Sequence, residues 1–122
     1  MEIQFKGTHF EIPEALTTRI TDKLTKIETL LKDKADEAFV YVELGRETEA
    51  HKNGVVWRAE FNVDVEGTRT RAESTRDTIE EASDDALRTL AQEITKQHAR
   101  EGSLIKRGGS AIKDIMRGFG RD

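Results

Sequence analysis

The stretch "VVWRAEFNVDVEGTRTRAES", residues 55–74, decides how the chain folds. Val55, Trp57, Ala59, Phe61, Val63 and Val65 recur at every second position, and Arg58, Glu60, Asn62 and Asp64 fill the positions between. Side chains on a strand alternate between two faces, so this period predicts a strand with one apolar and one polar face. Glu66-Gly67 is the tight turn of a hairpin. "TRTRAES" returns as the partner strand, with Arg69 and Arg71 on one face and Thr70 and Ala72 on the other.

Upstream, "AFVYVEL" is a further strand, rich in β-branched and aromatic residues. The segment between, "GRETEAHKNG" at 45–54, is polar, ends in Asn53-Gly54 and predicts a turn. At the N-terminus "EIQFKG" alternates Ile3 and Phe5 with Gln4 and Lys6, a short strand. Pro13 then opens a helix, where its missing N–H costs nothing. Leu16, Ile20, Leu24, Ile27 and Leu31 give that helix one apolar stripe, running to about Asp33. A second helix is expected from near Asp77 to near Gly102, with Ile79, Ala82, Ala86, Leu90 and Ile94 buried. Glu80, Glu81, Asp84 and Asp85 load its first half, and read as a solvated face that suits the positive end of the helix dipole. The order β-α-β-β-β-α predicts an α+β fold, with both helices on one face of a four-stranded sheet. Residues 1–101 form the expected domain, and 102–122 a basic tail.

Several chemistries find no footing. The chain has no cysteine, and His9, His51 and His98 lie far apart with no metal-ligand spacing, so no metal site is expected. "KRGGS" lacks the ordered phosphate-cradling loop, and neither a nucleophile elbow nor a dinucleotide-binding glycine motif is present. An enzyme, a cofactor and a small-molecule substrate are therefore not expected. No apolar run approaches bilayer length, and "MEIQFKGTHF" has no signal layout, which predicts a cytoplasmic protein without membrane contact.

Charge is the informative feature. The net charge is −4, yet it is unevenly spread. Residues 36–66 set Arg46, Lys52 and Arg58 against eight acids, while residues 96–122 carry seven Lys and Arg against three acids. Arg19, Lys23 and Lys26 fall at spacings of four and three, each one position before a core residue. They form a row flanking the buried stripe, at the rim where the first helix meets its neighbour. Arg88, Lys96 and Arg100 make a sparser row on the second helix, with Gln92 in the gap. A surface that gathers cations can bind phosphate backbones despite a negative total, so these residues with Arg69 and Arg71 are the candidate RNA contacts. Beyond the "KRGG" break, Ala111, Ile112, Ile115, Met116 and Phe119 recur at helical spacing, and Lys113 and Arg117 lie on the other side. Such a segment suits docking on a partner, possible self-association included.

"EIQFKGTHFEIPEALTTRITDKLTKIE" resembles the opening of the bacterial ribosome hibernation-promoting factors, also called ribosome-associated translation inhibitors. "HKNGVVWRAEFNV", "AES" at 72–74 and the helix start at Asp77 continue the match, which covers about residues 1–100. "SLIKRGGSAIKDIMRGFG" is similar to the basic extension of some short members. The resemblance implies a fold like double-stranded-RNA-binding domains. It implies a protein that binds rRNA in the decoding cleft of the small ribosomal subunit, blocks mRNA and tRNA by occupying their space, and holds idle ribosomes inactive under stress. Lys23 and Lys26 sit where the family places basic residues, and Lys96 keeps its charge. Thr17, Thr29, Thr89, Gln92 and Thr95 stand at positions commonly basic in relatives. Either Lys106, Arg107, Lys113 and Arg117 of the tail make up that deficit, or affinity is weak. The alternative function is a non-enzymatic interaction module that docks or self-associates through the tail.

Overall fold

A computed structural model describes residues 1–49 and 54–100. The elements follow the expected order: β1 (Glu2–Thr8), α1 (Glu14–Leu31), a 3-10 turn (Lys32–Glu37), β2 (Phe39–Glu49), β3 (Gly54–Val65), β4 (Thr68–Arg76) and α2 (Ile79–Arg100). The sheet order is β1-β2-β3-β4, with β1 parallel to β2 and the other pairs antiparallel. The α+β architecture read from the sequence is the one observed.

Register places the core. Val40, Val63 and Thr70 lie in one row across the sheet; Val42, Phe61 and Ala72 form the next, and Leu44, Ala59 and Ser74 the third. All nine are buried. The large Phe61 ring lies opposite the small Ala72, so the row is filled without crowding. Leu16, Ile20, Leu24 and Ile27 of α1 join the same cluster, as do Ile79, Ala82, Ala86, Leu90 and Ile94 of α2. Leu87 and Ala91 are buried as well, so the apolar stripe of α2 is wider than the sequence pattern suggested.

The two helices run in the same direction. Thr70, early in β4, donates to Gln97 near the end of α2, and Arg76, at the end of β4, pairs with Asp85 near its start, so α2 is antiparallel to β4. The Met1 ammonium lies 3.5 Å from Glu28, late in α1, so α1 is antiparallel to β1. Strands β1 and β4 are themselves parallel through the sheet, and the helix directions follow.

Boundaries differ from expectation in three places. Strand β2 does not stop at Leu44 but continues to Glu49, with Thr48 opposite Val55 and Glu49 opposite Gly54. Ladder hydrogen bonds are made by backbone and need no apolar side chain, so a polar segment can extend a hairpin beyond the cover of the helices. Residues 50–53 of the expected turn lie outside the described residues. Helix α1 ends at Leu31, because Lys32 takes φ 55°, and a 3-10 turn follows. Helix α2 begins at Ile79, two residues beyond Asp77, and is capped by Thr78: the Glu81 N–H donates to Thr78 Oγ1 at 3.1 Å. The expected tail, 102–122, lies outside the described residues.

Glycine is required at two turns. Glu66 and Gly67 both have positive φ, 49° and 80°, which suits a two-residue hairpin loop matched to strand twist. At Gly7 the reason is space: a Cβ there would stand 2.1 Å from the carbonyl oxygen of Phe10. The chain folds back here, and Phe10 packs edge-on to Trp57 with ring centroids 4.9 Å apart. Gly7→Ala is therefore expected to cost about 2 kcal/mol, or a drop of roughly 10 °C in melting temperature. A thermal melt followed by circular dichroism checks this.

Candidate nucleic-acid interface

The fold sorts the candidate cations onto two surfaces. Arg19, Lys23 and Lys26 belong to α1, and Arg88 and Lys96 to α2, all on the helix side of the sheet. Arg69 and Arg71 point from β4 to the opposite, open face, because Thr70, Ala72 and Ser74 take the buried positions between and beside them. The eight candidates do not make one continuous patch. Arg100 is in the last turn of α2, and Lys106, Arg107, Lys113 and Arg117 lie outside the described residues.

On the helix side, the first two members of the α1 row converge on one carboxylate. Lys23 Nζ donates to Asp84 Oδ1 at 2.6 Å, and Arg19 Nη2 donates to Asp84 Oδ2 at 2.8 Å. Asp84 is 6% exposed and Lys23 8%, so this cluster ties α1 to α2 from within their contact. The expectation of a solvated acidic face is corrected here: Glu80 and Glu81 are exposed, but Asp84 is buried. Its place on α2, next to buried Ser83 and one turn before Leu87, aims it at α1, where two cations offset the cost of removing its charge from water. Lys23, expected as an RNA contact, is thus an interior group. Lys26 is exposed and makes no ion pair among the described residues. On α2, Arg88 reaches Asp85 at 3.2 Å and Lys96 reaches Glu93 at 3.3 Å, both along the helix surface. The Lys96–Glu93 pair is exposed and of the weak kind, whereas the Arg88–Asp85 pair is half-buried.

The open face is a lattice of cross-strand pairs. Arg71 donates to Glu60 and Glu73, each at 2.8 Å, and Arg58 donates to the same two carboxylates. Arg69 binds Asp64 at 2.8 Å. Hydrogen bonds from Arg71 and then Asn62, with the Arg58 charge beside them, outweigh burial and lower the Glu60 pKa to about 2. Burial opposes the charge of Arg58, but its bonds to Glu73 and Glu60 prevail and raise its pKa. The arginines here are already committed to acids: Glu60, Asp64 and Glu73. Phe39 and Tyr41 lie on the same face, 42% and 39% exposed, with rings nearly parallel.

Sequence reasoning located the cations but missed their partners. The signal for Asp84 was available: it sits beside the apolar stripe of α2, as Arg19 and Lys23 sit beside that of α1. Among the described residues, no three His, Cys, Asp or Glu side chains gather as a metal-binding group. Among them, too, no helix is long and apolar enough to cross a membrane.

A small α+β fold with a cation-bearing helix pair is the class that these features define. Residues 3–101 match the family described as sigma 54 modulation protein / S30EA ribosomal protein, and the chain belongs to that family. Among solved structures it is similar to a ribosomal subunit interface protein from Coxiella burnetii, at 21% identity and a TM-score of 0.66, covering 81% of this chain and 99% of that one. It is likewise similar to the N-terminal domain of Protein Y from Thermus thermophilus, at 24% identity and a TM-score of 0.67, covering 80% and 99%. At these identities the structures establish the fold. No curated protein matches the chain.

The Glu60 network has a pH signature. Its folded pKa, about 2, lies below the ordinary carboxyl value of 4.5, so its stabilisation is present above pH 4.5 and is lost as pH falls through 2. Glu60→Gln is expected to lower stability near neutral pH by roughly 1 kcal/mol, allowing for solvent screening at the sheet surface. Urea midpoints of the two proteins should converge as pH approaches 2.

Proposed function

We propose that this chain is a ribosome-associated translation inhibitor that occupies the decoding cleft of the small subunit and excludes mRNA and tRNA from idle ribosomes. The observation that carries the reading is family membership across residues 3–101. The cations of the paired helices add a physical means. Lys26, Arg88 and Lys96, with Arg19 at the rim, would meet rRNA phosphates, and Arg100 with the tail's Lys106, Arg107, Lys113 and Arg117 would extend the contact. Lys23 serves as an internal tether, and Arg69 and Arg71, bound to acids on the far face, serve the sheet. A-form RNA is recognised chiefly by shape and backbone, so a rigid domain with a few fixed cations suffices. Occlusion breaks no bond and calls for no cofactor, and the reading places the protein in the cytoplasm with ribosomes.

Cosedimentation with separated ribosomal subunits across a salt series is the direct test. Association is expected with the small subunit, weakening about a hundredfold between roughly 50 and 200 mM salt if about four phosphates are neutralised. Binding that ignores salt, or prefers the large subunit, sinks the proposal. Lys26→Glu should weaken binding about tenfold and flatten the salt dependence, without moving the melting temperature.

A further inference from the structure

The three charges of the helix seam are graded from interior to surface. The side chain of Asp84 is 8% exposed, that of Lys23 11%, and that of Arg19 31%. Lys23 alone would balance the charge of Asp84. Asp84 nevertheless binds both cations, and the less buried of the two, Arg19, lies toward the rim of the α1–α2 contact.

We infer that Asp84 is a positioning residue for the RNA-facing surface: it holds the Arg19 guanidinium at that rim, with Lys23 as the buried counter-charge that fixes Asp84 itself. This rests on the ribosome-binding reading and deepens it. The geometry gives the reason. Asp84 is short, buried and gripped through both oxygens, Oδ1 by Lys23 at 2.6 Å and Oδ2 by Arg19 at 2.8 Å, so it is a rigid anchor. A guanidinium is a planar fork, and a bond from Nη2 to a fixed carboxylate narrows the directions in which the group can point. Long side chains ordinarily lose rotamer freedom when they bind, which weakens association. Arg19 loses that freedom on folding, whereas exposed Lys26, about two turns further along α1, loses it on binding. The family likeness supplies Lys23 and Lys26 as cations and helical spacing supplies Arg19; the acidic anchor of Arg19 comes from the structure.

The test is a double-mutant cycle read by cosedimentation with purified small subunits at one low salt concentration. Asp84→Asn alone strands the buried Lys23 ammonium, so it is combined with Lys23→Met. If the Asn version melts below the assay temperature, Asp84→Leu with Lys23→Met replaces the ion pair by apolar volume. The paired variant is expected to bind about three- to tenfold more weakly than the wild type, the range set by immobilising one long side chain. Arg19→Ala is expected to lose at least as much, and adding Arg19→Ala to the paired variant should give binding no weaker than Arg19→Ala alone. A merely structural Asp84 would lower the melting temperature and leave this coupling absent. The inference is overturned if the paired variant binds as tightly as the wild type or more tightly, which would make Asp84 a bystander or a competitor of phosphate. It is also overturned if the two losses simply add, for then the effect does not pass through Arg19. A wild-type chain that fails to bind small subunits defeats the preceding reading instead, and the two failures are separate on the same gel.

Discussion

Phe61 is fully buried at the centre of β3, between Val42 and Ala72 in register, and shares one cluster with Leu24 of α1 and Leu90 of α2. Burying its ring requires both helices on the same side of the sheet, since a four-stranded sheet of this width offers only one apolar face. The other face must then satisfy water. This one-sided burial dictates the alternation in every strand, the direction of both helices and the existence of the seam between them. It also explains why ionic groups fall into two sets: those of the open face pair across strands, and those of the helix side pair with α1 or α2, from Lys23 and Arg19 to Arg76 of β4.

The acidic total is reconciled with an RNA-facing role through where charges are spent. On the open face Glu60 and Glu73 absorb Arg58 and Arg71, and Asp64 absorbs Arg69. That surface is electrically mixed and offers little to a polyanion. On the helix side the buried carboxylate of Asp84 holds two cations, Arg88–Asp85 is half-buried, and Lys96–Glu93 is exposed and exchangeable. Net charge describes solubility; the local surplus on one surface decides what that surface attracts.

Much of the fold was legible because alternation and helical period are direct records of burial. The period-two pattern of 55–65 and the Glu66-Gly67 turn gave strand, partner and register together, since shifting by one residue would expose Phe61. The extension of β2 through "GRETE" was not legible: Arg46, Glu47 and Thr48 are all exposed, so nothing in their polarity marks a backbone that is paired. The site was half legible. Spacing put Arg19 and Lys23 on the flank of α1, but whether a flank faces water or a neighbouring helix depends on what the neighbour presents. Asp84 supplied that answer, and acids in the first half of a helix carry a dipole explanation sufficient to hide it.

The parallel pairing of β1 with β2 has a kinetic side. Glu2 meets Phe39 only after α1 and its turn have closed the chain between them, whereas Val65 meets Thr68 across two residues. Loop closure grows costlier with length, and non-local pairings form later than local ones. The expected order of assembly is the β2-β3-β4 meander first, then α2 on its apolar face, and last the N-terminal strand carried in by α1. By the same logic β1 is the part of the sheet that opens most readily from the native state, so amide exchange along Glu2–Thr8 should outrun that of β3. The strand at the edge of the sheet would act as a latch on the domain, while its nucleus is the hairpin from which the fold was first read.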